Sequence, residues 1–178
     1  VSPDSNLYRM HPDWCLHVEG RPRTQARQQL ILDLSRPEVQ EYIISAVSAV
    51  LSSSCIDYVK WDMNRILSDI YSAGKDPEYM GEIPHRYVLG LYEIMGELTK
   101  RFPKILFEGC SSGGNRFDLG ILCYFPQIWA SDNTDPICRS EIQEGLSYGY
   151  PLKTIGAHVS ASPNHQTLRK TPMKTRAA

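Results

Sequence analysis

Short apolar runs alternate with amphipathic stripes along this chain, and that alternation restricts the fold more than any single motif. After an irregular, polar opening in which Pro3, Pro12 and Pro22 block long helices, residues 30–34 (LILDL) predict a strand. Ser35 is expected to cap a helix beginning Arg36-Pro37-Glu38, with Glu38 closing a capping box. Val39, Tyr42, Ile43, Ala46, Val47, Val50 and Leu51 fall on one apolar stripe of that helix. A second strand is predicted around Tyr58–Asp62, followed by a long polar stretch to about Pro84. A second amphipathic helix then presents Tyr87, Val88, Leu91, Ile94, Met95 and Leu98, and stops before Pro103. Beyond it the pattern predicts strands at 105–108, 127–132 and 153–159, a short helical piece at 116–122, and a helix over 137–147. Strands alternating with helices in this way imply an α/β fold with a parallel sheet and helices on its faces.

Composition narrows the function classes. A net charge of −1 argues against a nucleic-acid partner, whose affinity comes largely from clustered cations. No apolar run approaches the roughly 20 residues of a membrane span, and no signal peptide is recognisable. Five widely spaced cysteines, without a CxxC pair, favour free thiols and hence a reducing, cytoplasmic location. Two histidines, His158 and His165, have no partner at ligand spacing, so no metal is expected. The basic tail with Arg169, Lys170, Lys174 and Arg176 reads as a helix face or a connection rather than a phosphate-binding patch.

The chemistry gathers where strands end. Side chains alternate along a strand, so Ile56, Tyr58, Lys60 and Asp62 share one side, and Asn64 keeps that parity if the chain stays extended. A lysine and an aspartate so placed are either a surface ion pair or a carboxylate nucleophile held ionised by a neighbouring cation. The strand at 105–108 ends in Gly109-Cys110-Ser111-Ser112-Gly113-Gly114, a turn that lets backbone N–H groups approach a ligand. It lacks the Lys-Ser/Thr of a P-loop and the spacing of a dinucleotide fingerprint. The strand at 127–132 ends in Asp132, two strand–helix units beyond Asp62. Polar clusters at the carboxyl ends of parallel strands fit the catalytic rim of a TIM barrel, and two carboxylates at one mouth are the equipment of a glycosidase. Trp129 and Asp135 beside Asp132 would each favour its protonated form. Asp135 itself reads as a helix-start carboxylate ahead of Pro136, Glu108 as a hydrogen-bonded structural acid, and Trp14 as a packing anchor near Asp13. A TIM barrel has eight strands in about 250 residues, so a chain of 178 residues is expected to hold only part of one.

Four stretches together resemble the α-galactosidases of glycoside hydrolase family 36: YVKWDMNR (58–65), FEGCSSGGNRFD (107–118), WASDNTDP (129–136) and QARQQLILDLSRPEV (25–39), with GAHVS (156–160) in addition. The resemblance covers nearly the whole chain. It implies a partial TIM (β/α)8 barrel, roughly strands three to seven, forming one incomplete catalytic domain over 1–178 without its flanking domains. It also implies a retaining enzyme without metal or cofactor that removes terminal α-linked galactose from melibiose and raffinose-type oligosaccharides.

By the same resemblance Asp62 matches the nucleophile and Asp132 the general acid/base. Lys60 and Arg27 match residues that hold galactose hydroxyls, with Asn64 in the same subsite. Cys110 and Gly113 match the glycine-rich loop near the 2-hydroxyl, and Trp129 matches an aromatic wall. Homo-oligomerisation of the full-length protein is a further implication, and unpaired outer strands at 30–34 and 153–159 predict that the piece alone either self-associates or stays loosely packed, with fast hydrogen exchange in those strands. The alternatives are a galactosyltransferase of the raffinose-synthase type and a non-catalytic truncated product.

Overall fold

The computed structural model describes residues 1–177, which divide into two units, residues 1–56 with 65–104 and residues 57–64 with 105 onward. The first unit opens with a short helix α1 (Asn6–Met10), capped by the Ser5 hydroxyl, and a 3-10 turn at Pro12–Trp14. Its framework is a pair of packed helices, α2 (Pro37–Ser52) and α3 (Ile83–Arg101). Ile83, Tyr87, Leu91, Ile94, Met95 and Leu98 line the buried face of α3, the spacing of a 3.6-residue period. Val88, expected there, is 38% exposed at the edge of that stripe. The buried face of α2 is also rotated from the expected one. Val39, Ile44 and Leu51 are buried, whereas Tyr42 and Val50 are exposed. Tyr42 still meets apolar surface through its edge-on contact with Trp14, at 5.7 Å between ring centres.

The strand expected at 30–34 does not form. Leu30, Ile31 and Leu34 are buried, but pairing is confined to one antiparallel bridge between Cys15 and Leu32. Burial alone accounts for the apolar run. Asp33, wholly buried, explains the sharp turn that follows, since its carboxylate accepts hydrogen bonds from the backbone N–H of Ser35 and from the hydroxyls of Ser35 and Ser72. That engagement removes Ser35 from the capping role. Arg36 is the N-cap instead, with Pro37 at the first helical position and Glu38 tied to the Arg36 guanidinium at 2.6 Å. The long polar stretch is irregular up to a 3-10 turn at Pro77–Glu82. Its first anchor is Arg65, buried, whose guanidinium donates to the carbonyls of Gln29, Ile66 and Thr24.

The second unit is built on a three-stranded parallel sheet in the order β1 (Tyr58–Asp62), β2 (Leu106–Cys110) and β3 (Gln127–Ile128). Val59 and Trp61 are half-buried on one side of β1, while Tyr58, Lys60 and Asp62 are exposed on the other, as the alternation predicted. Phe107, Phe125, Ile121 and Ile128 form the core, with Phe107 and Phe125 stacked at 5.2 Å. Burying each such side chain contributes about 1.5–3 kcal/mol.

Two expected strands are shorter than the pattern suggested. β3 ends at Ile128, because the Trp129 N–H is the last to bond back to β2, at the Gly109 carbonyl, before the chain turns. The strand expected at 153–159 is reduced to one parallel bridge, Ile128 to Ile155, since Leu152–Thr154 forms a 3-10 turn after Pro151. Only a 3-10 turn at Ile121–Cys123 represents the helical piece expected at 116–122. Helix α4 (Pro136–Ser147) forms as predicted, and α5 (Met173–Arg176) follows near the end. Among the described residues no helix is long and apolar enough to cross a membrane, and all five cysteines are unpaired.

Candidate active site

The second unit collects Lys60, Asp62, Asn64, Cys110, Gly113, Trp129 and Asp132 around the carboxyl ends of its strands. Asp62 closes β1 and Cys110 closes β2, and the two are register partners. The Asp62 carboxylate accepts a hydrogen bond from Asn64 Nδ2 at 2.8 Å. The amide of Asn64 cannot turn over, because its Oδ1 accepts from the Ser112 N–H at 2.7 Å and the Ser112 hydroxyl at 2.9 Å. With the oxygen so committed, the nitrogen faces Asp62. Burial raises the Cys110 thiol above its ordinary pKa, and its hydrogen bond to Asp62 adds to the shift. The thiol therefore keeps its proton and donates it toward the carboxylate.

The glycine-rich turn brings the second carboxylate segment in. Ser112 and Gly113 take left-handed φ values of 49° and 82°. The Ser111 N–H bonds to the Gly113 carbonyl at 2.9 Å and the Gly114 N–H to the Ala130 carbonyl at 3.0 Å. Gly113 lies so close to the next segment that a Cβ there would stand 2.9 Å from Ser131 Cα and 3.3 Å from the Asp132 nitrogen. Only glycine satisfies both the angle and the approach.

Asp132 accepts a hydrogen bond at Oδ1 from the Trp129 indole N–H, at 2.8 Å, and its carbonyl accepts from Gln166 Nε2 at 3.0 Å. Asp135 is the helix-start carboxylate that the sequence suggested. It is turned inward as the N-cap of α4, accepting from the Ile137 and Cys138 N–H groups, the Thr167 hydroxyl at 2.7 Å and Arg169 at 3.1 Å. The Thr167 hydrogen bond, with those backbone donors and Arg169, holds its carboxyl below the usual pKa.

Lys60 also has a partner other than the expected one. Its ammonium lies 3.5 Å from Glu108 Oε1, on the neighbouring strand, and 4.0 Å from the centre of the Trp129 ring. The Trp129 ring further meets the imidazole of His158 at 4.4 Å and the guanidinium of Arg139 at 5.9 Å. Arg139 donates to the His158 carbonyl and faces His158 Nδ1 at 3.3 Å, so the neutral imidazole carries its proton on Nε2. Burial, with Arg139 and Lys60 nearby, lowers the His158 pKa. Tyr58, Lys60, Glu108, Gln127, Trp129 and His158 line an open cleft of about 390 Å³, large enough for a sugar ring.

Arg27 belongs to the first unit. It is exposed on a two-residue turn, with φ values of 53° and 58° at Arg27 and Gln28, closed by reciprocal backbone bonds between Ala26 and Gln29. Sequence reasoning gave Glu108 no more than a structural part and passed over Tyr58, Ser112 and Arg139. Glu108 was accessible through strand register, since Lys60 and Glu108 are direct cross-strand partners of opposite charge.

Asp62 and Asp132 are each held by an uncharged donor, and Lys60 and Trp129 bring a cation and an aromatic face to the cleft of the same unit. Comparison with known proteins places the chain. The family model described as melibiase matches residues 1–178, so the chain belongs to the melibiase family. It is 58% identical over 99% of its length to the α-galactosidase AgaA of Geobacillus stearothermophilus, and 52% identical over its full length to the α-galactosidase Mel36A of Lactobacillus acidophilus. The crystal structure of the former, a family 36 enzyme, superposes with a TM-score of 0.94. A variant of it in complex with raffinose gives 0.95, at 58% identity and with 99% of this chain covered. The chain spans about a quarter of these relatives, 24% in each case. The expected family is thereby established.

Proposed function

We propose that this chain carries the catalytic carboxylates of a retaining α-galactosidase, within part of a (β/α)8 barrel, acting on raffinose-type oligosaccharides. The observation that carries the reading is the fixed setting of Asp62. It stands at the carboxyl end of a parallel strand with Asn64 Nδ2 at 2.8 Å, in a family whose named relatives are α-galactosidases. In this reading the Asp62 carboxylate attacks the anomeric carbon as the bond to the leaving oxygen breaks, and Asp132 gives that oxygen its proton. A galactosyl ester on Asp62 results. Asp132, now ionised, takes a proton from water, which attacks the same carbon and releases Asp62.

The surroundings suit both steps. Asn64 and the Cys110 thiol donate to Asp62 without adding charge, so they orient it and leave it nucleophilic. Lys60 and Asn64 would hold sugar hydroxyls as multiple donors, Gly113 would let the 2-hydroxyl region approach the backbone, and Trp129 would wall the ring. The relatives named above are hydrolases by name, which favours water over a sugar acceptor. Cytoplasmic location and assembly into a homo-oligomer belong to the same proposal.

The test is an assay of the protein on an aryl α-galactoside and on raffinose, with NMR of the first-formed sugar. Release of α-galactose ahead of mutarotation supports the reading. First-formed β-galactose, or activity restricted to other glycosides, overturns it.

A further inference from the structure

We propose that Glu108 is the positioning residue of the cleft, holding the Lys60 ammonium over the face of Trp129 so that its remaining N–H groups are presented to a sugar hydroxyl. This rests on the reading of the cleft as a galactoside site. Glu108 is 3% exposed, and a carboxylate so buried must have its oxygens occupied. Oε1 faces Lys60 Nζ at 3.5 Å, and Oε2 accepts from Gln127 Nε2 at 2.9 Å. Tyr58 supplies a third donor. Although the residue as a whole is exposed, desolvation of its hydroxyl and the hydrogen bond to Glu108 push the phenol up to about 12, so it keeps the proton it donates.

The chain makes room for this carboxylate at Gly156. A Cβ there would stand 2.8 Å from Glu108 Oε2 and 3.3 Å from Gln127 Nε2. Lys60 is the more exposed member, with a side chain 39% exposed against 4% for Glu108. A flexible four-carbon stem needs a fixed anion to choose one rotamer, and the rigid, buried partner provides it. The Trp129 face, 4.0 Å from Nζ, fixes the second coordinate, and the same indole donates its N–H to Asp132. Glu108 thus acts through Lys60, whose ammonium it places.

The chain has three tryptophans, Trp14, Trp61 and Trp129, so its indole 15N–1H signals are few and assignable. Glu108→Gln is expected to shift the Trp129 indole signal, and to produce no further shift in a Lys60→Met background. A shift that persists without Lys60 overturns the proposal. Should Glu108→Gln fail to fold, Gly156→Ala displaces the carboxylate while keeping its charge. The same Lys60-dependent shift supports the proposal there, and an unmoved signal overturns it. In steady-state kinetics on an aryl α-galactoside, Glu108→Gln is expected to cost about tenfold in kcat/KM, chiefly through KM, and less than about twofold once Lys60 is Met. Fully additive losses overturn it. A protein inactive on every α-galactoside, with the indole cycle as expected, would sink the functional reading and leave the Glu108–Lys60 coupling standing.

Discussion

Trp129 donates its indole N–H to Asp132 Oδ1 at 2.8 Å, a hydrogen bond between residues three apart in the chain. Trp129→Phe keeps an aromatic face, though a smaller one, and deletes the donor. If Asp132 protonates the leaving oxygen, its misplacement matters most when that oxygen is a poor leaving group. We expect kcat/KM to fall about tenfold on raffinose and less than about threefold on a nitrophenyl galactoside. Equal losses on the two substrates would show that the indole positions the sugar rather than the acid.

The roles of Asp62 and Asp132 separate by azide rescue. Asp62→Gly should form no covalent intermediate, and azide entering from the face the carboxylate occupied should give β-galactosyl azide. Asp132→Gly should still form the galactosyl ester from substrates with good leaving groups. Azide then attacks from the opposite face and gives the α-azide. NMR of the products distinguishes them. The same anomer from both variants would refute the assignment.

Gly113→Ala should damage both stability and rate. At φ 82° an alanine is strained, and its Cβ would press on Ser131 Cα at 2.9 Å. The expected cost is about 1–3 kcal/mol in chemical denaturation. A loss in kcat should accompany it, because the same Cβ would stand 3.3 Å from both the Ala130 carbonyl oxygen and the Asp132 nitrogen. Wild-type stability in the variant would mean that the turn is looser than its hydrogen bonds imply.

What could be read in the sequence depended on range. The alternation in β1 put Tyr58, Lys60 and Asp62 on one side because side-chain parity is a property of the strand alone. The choice of partner for Lys60 is not local. Residues two apart on a strand are separated by about 6.6 Å, whereas neighbouring strands lie about 4.8 Å apart. Glu108, opposite Lys60 in the β1–β2 register, therefore lies nearer than Asp62. A short apolar run, such as Leu30–Leu34, reports burial without reporting pairing. Its buried side chains were legible, and its single bridge to Cys15 was not. The cap of α2 failed for a similar reason, since Ser35 was claimed by Asp33, itself linked to Ser72 far along the chain. The cap of α4 succeeded because Asp135 binds N–H groups two and three residues away.

Asp135 gives the fold an acid-sensitive contact whose sign follows from its partners. The Thr167 hydroxyl, the Ile137 and Cys138 N–H groups and Arg169 all favour the carboxylate, and its pKa in the folded state lies below the ordinary 3.8. The unfolded chain therefore binds its proton first as pH falls. The stabilisation is fully present above the unfolded value and is lost as pH drops through the folded one. Asp135→Asn retains one acceptor for the helix N-terminus but carries no charge for Arg169 or the helix dipole. At pH 7 it should lower Tm by about 2–8 °C. The gap between wild type and variant should begin to narrow as pH falls below about 4, where the carboxyl of the unfolded chain takes up its proton while the folded one is still charged. Thermal unfolding of both proteins between pH 7 and pH 3 measures it. A gap of constant size across that range would mean that shape and hydrogen bonding, rather than charge, hold the start of α4.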